Sequence, residues 1–400
     1  MLKKLGLVKF WSAFFIMLIA TVLVFGSSLN NEFVWDDEEQ IVNNGAVHSL
    51  RSIPQLFVGS TFNSGGASTL GGLYYKPMMP MVFALVISLG GLNPIWIRSV
   101  QVMLHLLNSL MIFVLLTDLA KKFESKISWS LNILSWFSLA LSLLFLLHPL
   151  NVETAIYLSS LQDVLFMSFG LMAVLIVQKT APSVKTIVLT AVCLLFSLLS
   201  KETGLLMVVW IVLMAQLVRL EWRLATQGIA NSTILFYLFM RFMVAGIGIQ
   251  AHNLSPITRS SLWERVITIP KIINYYLTNL VWPTNLAISQ HWVVTQLSLT
   301  DFWLPLGLVL VVMGACLLVW QKAKKRYGIS HSFYYWTLLS LILLMLAGGL
   351  HLQFVPLDMT VADRWFYLPF VALILIIFLS VIGFVRSKKQ QVLIICLLMV

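Results

Sequence analysis

The sequence predicts an all-α, polytopic membrane protein of about ten transmembrane helices. Three observations carry that prediction. Hydrophobic residues make up 60% of the 400 and charged residues only 10%, and no water-soluble globule of this size can hide so much apolar surface. Apolar runs near bilayer-crossing length recur from Trp11–Ser28 to Trp365–Val385. The basic and acidic residues also sort to opposite sides of those runs.

The first run, 10–28, follows a basic start at Lys3 and Lys4. That start resembles a signal peptide, but the apolar body is long enough to span and reads as a retained anchor. Runs follow at 77–92, 96–117, 130–147, 158–177, 185–200, 204–218, 232–250, 270–283, 302–320, 333–352, 364–385 and 391–400. Two of them are read as interfacial helices on the outer face. Residues 77–92 open with "KPMMP", whose prolines suit a helix's first turn and not its middle. Were that run to cross, the loop "DLAKKFESK", which includes Lys126, would face outward against the positive-inside rule. Residues 270–283 carry Lys271, Asn274 and Asn279, which lipid tolerates poorly. With both exempted, the loops holding Lys121 and Lys122, Lys179 and Lys185, Arg219 and Arg223, and Lys388 and Lys389 all face inward, joined among the acids only by Asp118, Glu124 and Glu221. Ten spans remain, the first running outward, in one membrane domain over 1–390. Residues 391–400 form an apolar tail too short to cross alone. The long outer segments are 29–95 and 251–301.

The net charge of +11 is topological: its Lys and Arg are dispersed between apolar segments with no basic stripe, which excludes nucleic acid as a partner. Cys193, Cys316 and Cys396 lie in apolar runs without metal or disulfide spacing and read as core filler.

Function is therefore sought in the polar groups of the outer face. "WDDEE" places Asp36, Asp37, Glu38 and Glu39 side by side just beyond the first span. Mutual repulsion raises at least one pKa and suits a general base, whereas the plainer alternative is a solvated acidic loop. In "LLHPLNVETAIYLSSLQDVLF", His148 ends a span, Glu153 follows in a tight connection, and Asp163 enters the next apolar run. An intramembrane acid is a functional candidate, or else a polar contact between helices. "LLSKETGLL" sets Lys201 beside Glu202, either a self-neutralising pair or a cation awaiting phosphate. "VADRWFYLPF" brings Asp363, Arg364 and Tyr367 to the start of the last long run, as an interface anchor or a phosphate grip. Arg98 and Lys76 complete a set of cations fit for an anionic lipid headgroup. A transporter or flippase of lipid-linked intermediates is an alternative, although no internal symmetry supports one. A non-catalytic membrane scaffold is another.

These motifs resemble a known family. "EFVWDDEEQIVNN", "YYKP", "HPLNVETAIYLSS", "SKETG", "YLTNLVWPTNLA" and "ADRWFYLP" occur in the order seen in the GT-C superfamily of polytopic glycosyltransferases. The chain is most similar there to the membrane domain of the transmembrane, tetratricopeptide-repeat-containing O-mannosyltransferases and their bacterial relatives. The resemblance implies inverting transfer of a sugar, mannose or another hexose, from a polyprenyl-phosphate donor to an acceptor on the outer side. It implies a catalytic base at Asp36 or Asp37. It also implies donor-phosphate contacts from Lys201, Arg364, Arg98, Lys76, Tyr367 and Glu202, supported by His148, Glu153 and Asp163. Lys76 stands where relatives have Arg, which weakens bidentate binding there. No cofactor is certain, and Asp36 and Asp37 are the candidate ligands should a divalent cation take part. Relatives continue into helical repeats where this sequence stops at Val400, so the expected acceptor is a protein, a lipid or a glycan. The expected location is a bacterial inner membrane, or the endoplasmic reticulum in a eukaryote.

Overall fold

The structure, a computed structural model, describes residues 8–61, 74–124, 128–248, 255–327 and 332–399. Lys3, Lys4 and Lys126 lie outside the described residues. The described chain is mostly helical: α1 Phe10–Phe25, α2 Ile53–Leu56, α3 Met78–Gly90, α4 Pro94–Phe123, α5 Leu131–Leu147, α6 Val152–Ile156, α7 Leu161–Lys179 and α8 Val184–Ser200. It continues with α9 Leu205–Leu217, α10 Arg223–Phe239, α11 Pro256–Arg259, α12 Leu262–Val281, α13 Leu304–Tyr327, α14 Ser332–Gly349, α15 Tyr367–Phe384 and α16 Lys388–Met399. The chain is an integral membrane protein, all-α as expected.

The expected count of about ten spans is corrected. Among the described residues, five helical stretches are long and apolar enough to cross: Pro94–Phe123, Leu158–Lys179, Leu299–Lys322, Ser332–Gly349 and Asp363–Phe384. A sixth exists if Leu131–Leu147 and Pro149–Ile156, bent by 53° at His148, form one broken span. The reason is length. The runs at 10–28, 185–200 and 204–218 fold into α1, α8 and α9, of 16, 17 and 13 residues. Each is shorter than the shortest stretch counted above, the 18-residue Ser332–Gly349. The run at 232–250 breaks at its middle, where α10 gives way to a π-helical turn at Met240–Val244 and a left-handed Gly246.

Contacts divide the chain into two compact units, each discontinuous in sequence. The loop unit comprises Lys9–Leu115 and Thr154–Gln250. In it α7 and α8 form a helical hairpin, and α10 packs on α8 and α9. The start of α8 is fixed by a capping box between Ser183 and Thr186. The segment between α1 and α3 packs onto α3 and α7, burying Ile41, Val47 and Leu56 against Phe83, Ile87 and Leu161. Pro77 and Pro80 hold the entry of α3, and Gly91 ends it at a φ of 74° that only glycine adopts freely.

The tail unit comprises Met1–Val8, Leu116–Glu153 and Ala251–Val400. Within it α15 packs on α14 and α5, α16 on α5, and α12 on α13. A capping box between Ser261 and Glu264 starts α12. Beyond α12 the chain runs alongside 360–363, with Gln290 N–H donating to Val361 O at 3.0 Å and Thr360 N–H to Gln290 O at 2.8 Å.

Candidate functional site

The acidic turn is built by one unusual residue. Trp35 adopts a φ of 53°, a left-handed conformation that costs a bulky residue about 1–2 kcal/mol. Two hydrogen bonds across the turn offset that strain: Asp37 N–H donates to Val34 O at 3.0 Å, and Val34 N–H donates to Asp37 Oδ2 at 3.2 Å. The reversal turns Asp37 inward, where it is fully buried. Its Oδ1 accepts from both the backbone N–H and the hydroxyl of Ser159, at 2.9 and 2.7 Å. Burial pushes the Asp37 carboxyl above its ordinary range, opposed by the Ser159 and Val34 bonds and by the charge of Arg98. The expected raised carboxyl thus exists, but desolvation causes it, not repulsion among neighbouring acids. Asp36 is different: half-buried, its side chain with no hydrogen bond or ion pair among the described residues.

Asp37→Asn tests this arrangement. An amide cannot accept from Val34 and Ser159 through both terminal atoms, so one N–H is left facing a donor. A loss of about 1–3 kcal/mol is expected, read as a lowered unfolding midpoint, with Asp36→Asn leaving the midpoint unchanged.

Arg98 is taken from the expected phosphate set. Its guanidinium is buried and donates four hydrogen bonds to backbone carbonyls: Leu29, Asn31, Glu32 and Ile156. It clamps the exit of α1 to α4 and α6, an anchoring task that leaves little for a ligand. Lys76 lies 4.2 Å above the ring of Tyr74, held by cation–π attraction.

Lys201 and Glu202 do not pair with each other. Lys201 Nζ reaches Asp163 Oδ1 at 2.5 Å, both residues buried, while Asp163 Oδ2 has no partner. Only one of the three ammonium donors is thereby assigned. Glu202 instead pairs with Arg241 at 2.8 Å, and Arg241 also donates to the Tyr237 hydroxyl at 3.1 Å. Arg241 went unread in the sequence, although an arginine inside the apolar run 232–250 is itself a signal.

In the tail unit, Glu153 and Arg364 form a two-point clamp. Arg364 Nη1 pairs with Glu153 Oε1, and the Arg364 backbone N–H donates to Oε2 at 2.8 Å. Asp363 beside it accepts from the Tyr275 hydroxyl at 2.6 Å and from Ala287 N–H at 2.9 Å. His148 donates through Nε2 to Leu280 O at 3.0 Å and accepts Leu150 N–H at Nδ1, the pattern of a neutral ring capping a helix end. Tyr367 is fully buried, its ring 5.0 Å from that of Phe145. That places it among the buried aromatics of α5 and α15.

Asp36 and Asp37 are the acidic turn's candidate ligands should a divalent cation take part. Among the described residues no group of three or more His, Cys, Asp or Glu is arranged to hold a metal ion. Both oxygens of Asp37 already accept N–H or O–H bonds, from Val34 and from Ser159.

This geometry can be set beside known proteins. The chain is similar to glycosyltransferases. Within that class it resembles the protein O-mannosyl-transferases: Protein O-mannosyl-transferase F38B6.6 of Caenorhabditis elegans is 24% identical over 363 residues, which cover 88% of this chain and 49% of the worm protein. Protein O-mannosyl-transferase TMTC1 of Mus musculus is 29% identical over 40% of the chain and 16% of its own length. Protein O-mannosyl-transferase TMTC4 of Homo sapiens is 26% identical over 42% of the chain and 22% of its own. The chain spans about half the length of the worm relative and less of the others. No protein-family model matches the chain, and no solved structure matches it with significance.

Proposed function

We propose that residues 1–390 act as one GT-C-like membrane domain that transfers a hexose, mannose by analogy with the relatives, from a polyprenyl-phosphate donor to an acceptor hydroxyl on the outer side. The observation that carries the reading is similarity to a protein O-mannosyl-transferase along 88% of the chain. At residue level it is supported by the contrast in the acidic turn: Asp37 is locked by Ser159 and Val34, while Asp36 is half-buried and unpaired.

In this mechanism Asp36 takes the acceptor hydroxyl proton as the oxygen bonds to the anomeric carbon. The bond from that carbon to the phosphate oxygen breaks on the opposite face, and its electron pair leaves on the polyprenyl phosphate. Single displacement inverts the anomeric centre. Asp37 holds the turn in place and takes no proton. Lys201, with donors beyond its bond to Asp163, stabilises charge gathering on the leaving phosphate. Arg364 is engaged by Glu153 and positions the tail unit's own loop, and Arg98 positions the acidic turn.

The test is transfer in proteoliposomes from polyprenyl-phosphate mannose to acceptor peptides, glycolipids and glycans, with the product anomer read by NMR. A new glycosidic bond of inverted configuration is expected. Passage of the donor across the bilayer without bond formation would overturn the reading in favour of a flippase.

A further inference from the structure

The tail unit contains a cavity that the proposed chemistry does not use. Its volume is about 280 Å³, and Lys271, Tyr275, Asn279 and Trp292 are among its walls. That volume lies at the lower end of ligand pockets, which begin near 300 Å³, and suits a small ligand such as one sugar ring. The ligand must also be uncharged. Lys271 is neutralised by Asp301 at 2.7 Å and sits 4.8 Å over the Trp292 ring, so the cavity offers no spare cation to a phosphate.

Its polar atoms tell the rest. The side chains of Asn274, Thr278 and Asn285 line the cavity and have no hydrogen-bond partner among the described residues. Gln290 Oε1 accepts the Trp292 indole N–H at 2.6 Å, which leaves the Gln290 amide NH2 open. Asn279 fixes the rim by accepting Asn285 N–H at 3.2 Å. Amides and a hydroxyl each present donors and acceptors together, the complement of a ring of hydroxyl groups. Trp292 adds aromatic surface to the lining.

We propose that this cavity, formed by α12 and the segment after it, binds one neutral pyranose unit. The inference rests on the glycosyltransferase reading only for the choice of sugar. The unit belongs either to the donor's headgroup or to a glycan acceptor, and the same chemistry serves both.

The test is titration of the full chain in nanodiscs with methyl mannoside and methyl glucoside, followed by calorimetry and by Trp fluorescence. Saturable binding of at least one pyranoside is expected, weakened about tenfold or more by Asn274→Ala and by Trp292→Ala. Thr278→Val, which keeps shape and removes only the hydroxyl, guards against misfolding and is expected to weaken binding with an unchanged unfolding midpoint. Competition with polyprenyl-phosphate mannose assigns the cavity to the donor sugar, and simultaneous binding assigns it to an acceptor. Absence of saturable binding, or binding untouched by all three variants, overturns the inference even if transfer is intact. Binding without transfer would instead overturn the enzymatic reading and leave the cavity assigned.

Discussion

Lys201→Met is expected to lose about 3–5 kcal/mol of stability, the cost of breaking a buried ion pair from one side. The cause is what the substitution leaves behind. Asp163 is 1% exposed and its second oxygen already lacks a partner, so without Lys201 the carboxylate has no counter-charge at all. It would have to take up a proton or draw in water. Removing both partners is therefore milder than removing one: Lys201→Met/Asp163→Leu is expected to recover most of the loss. The Glu202–Arg241 pair is a useful control, because the Glu202 side chain is 37% exposed and such pairs contribute about 0–1 kcal/mol. Thermal unfolding in nanodiscs measures all of these. A single-variant loss no greater than that of the control would contradict the arrangement. The double variant also separates two roles, since a protein that folds but no longer transfers sugar would leave Lys201 with a task at the phosphate.

The second large effect is kinetic. Asp36→Asn is expected to lower kcat for sugar transfer about 10²–10⁴-fold, the usual contribution of a positioned general base, with KM little changed because the residue is not asked to bind the donor. The Asp36 side chain has no hydrogen bond to lose among the described residues, so the unfolding midpoint stays in place and the loss cannot be ascribed to folding. Full activity in Asp36→Asn would remove it as the base. A fall in midpoint with proportionate loss of activity would make Asp36 another anchor of the turn.

The helical class was legible in the sequence because apolar composition constrains it strongly, and the acidic turn and its neighbours were legible as motifs. The span count was not. Positive-inside sorting reads charge at loop ends and says nothing of how many residues between them form continuous helix: the runs at 185–200 and 204–218 were short in the sequence itself yet were counted to keep the charges sorted, and the break after Phe239 was invisible. Pairing was equally hidden. Lys201 and Glu202 are neighbours in sequence, yet their backbone turn sends them to Asp163 and Arg241. Nor could sequence divide Asp36 from Asp37, because their difference depends on the left-handed Trp35 and on Ser159, 122 residues away from Asp37. Arg98 shows the same limit: a cation near a span end looks the same whether its partners are phosphate oxygens or carbonyls.

The most direct measurement is a structure of the protein in nanodiscs with a non-transferable polyprenyl-phosphonate sugar and an acceptor bound. The account predicts an Asp36 carboxylate oxygen about 2.6–3.2 Å from the acceptor hydroxyl, with Asp37 still bound to Ser159 and Val34. A sugar whose anomeric carbon faces Asp37 freed from those two residues, or lies remote from both acids, would contradict it.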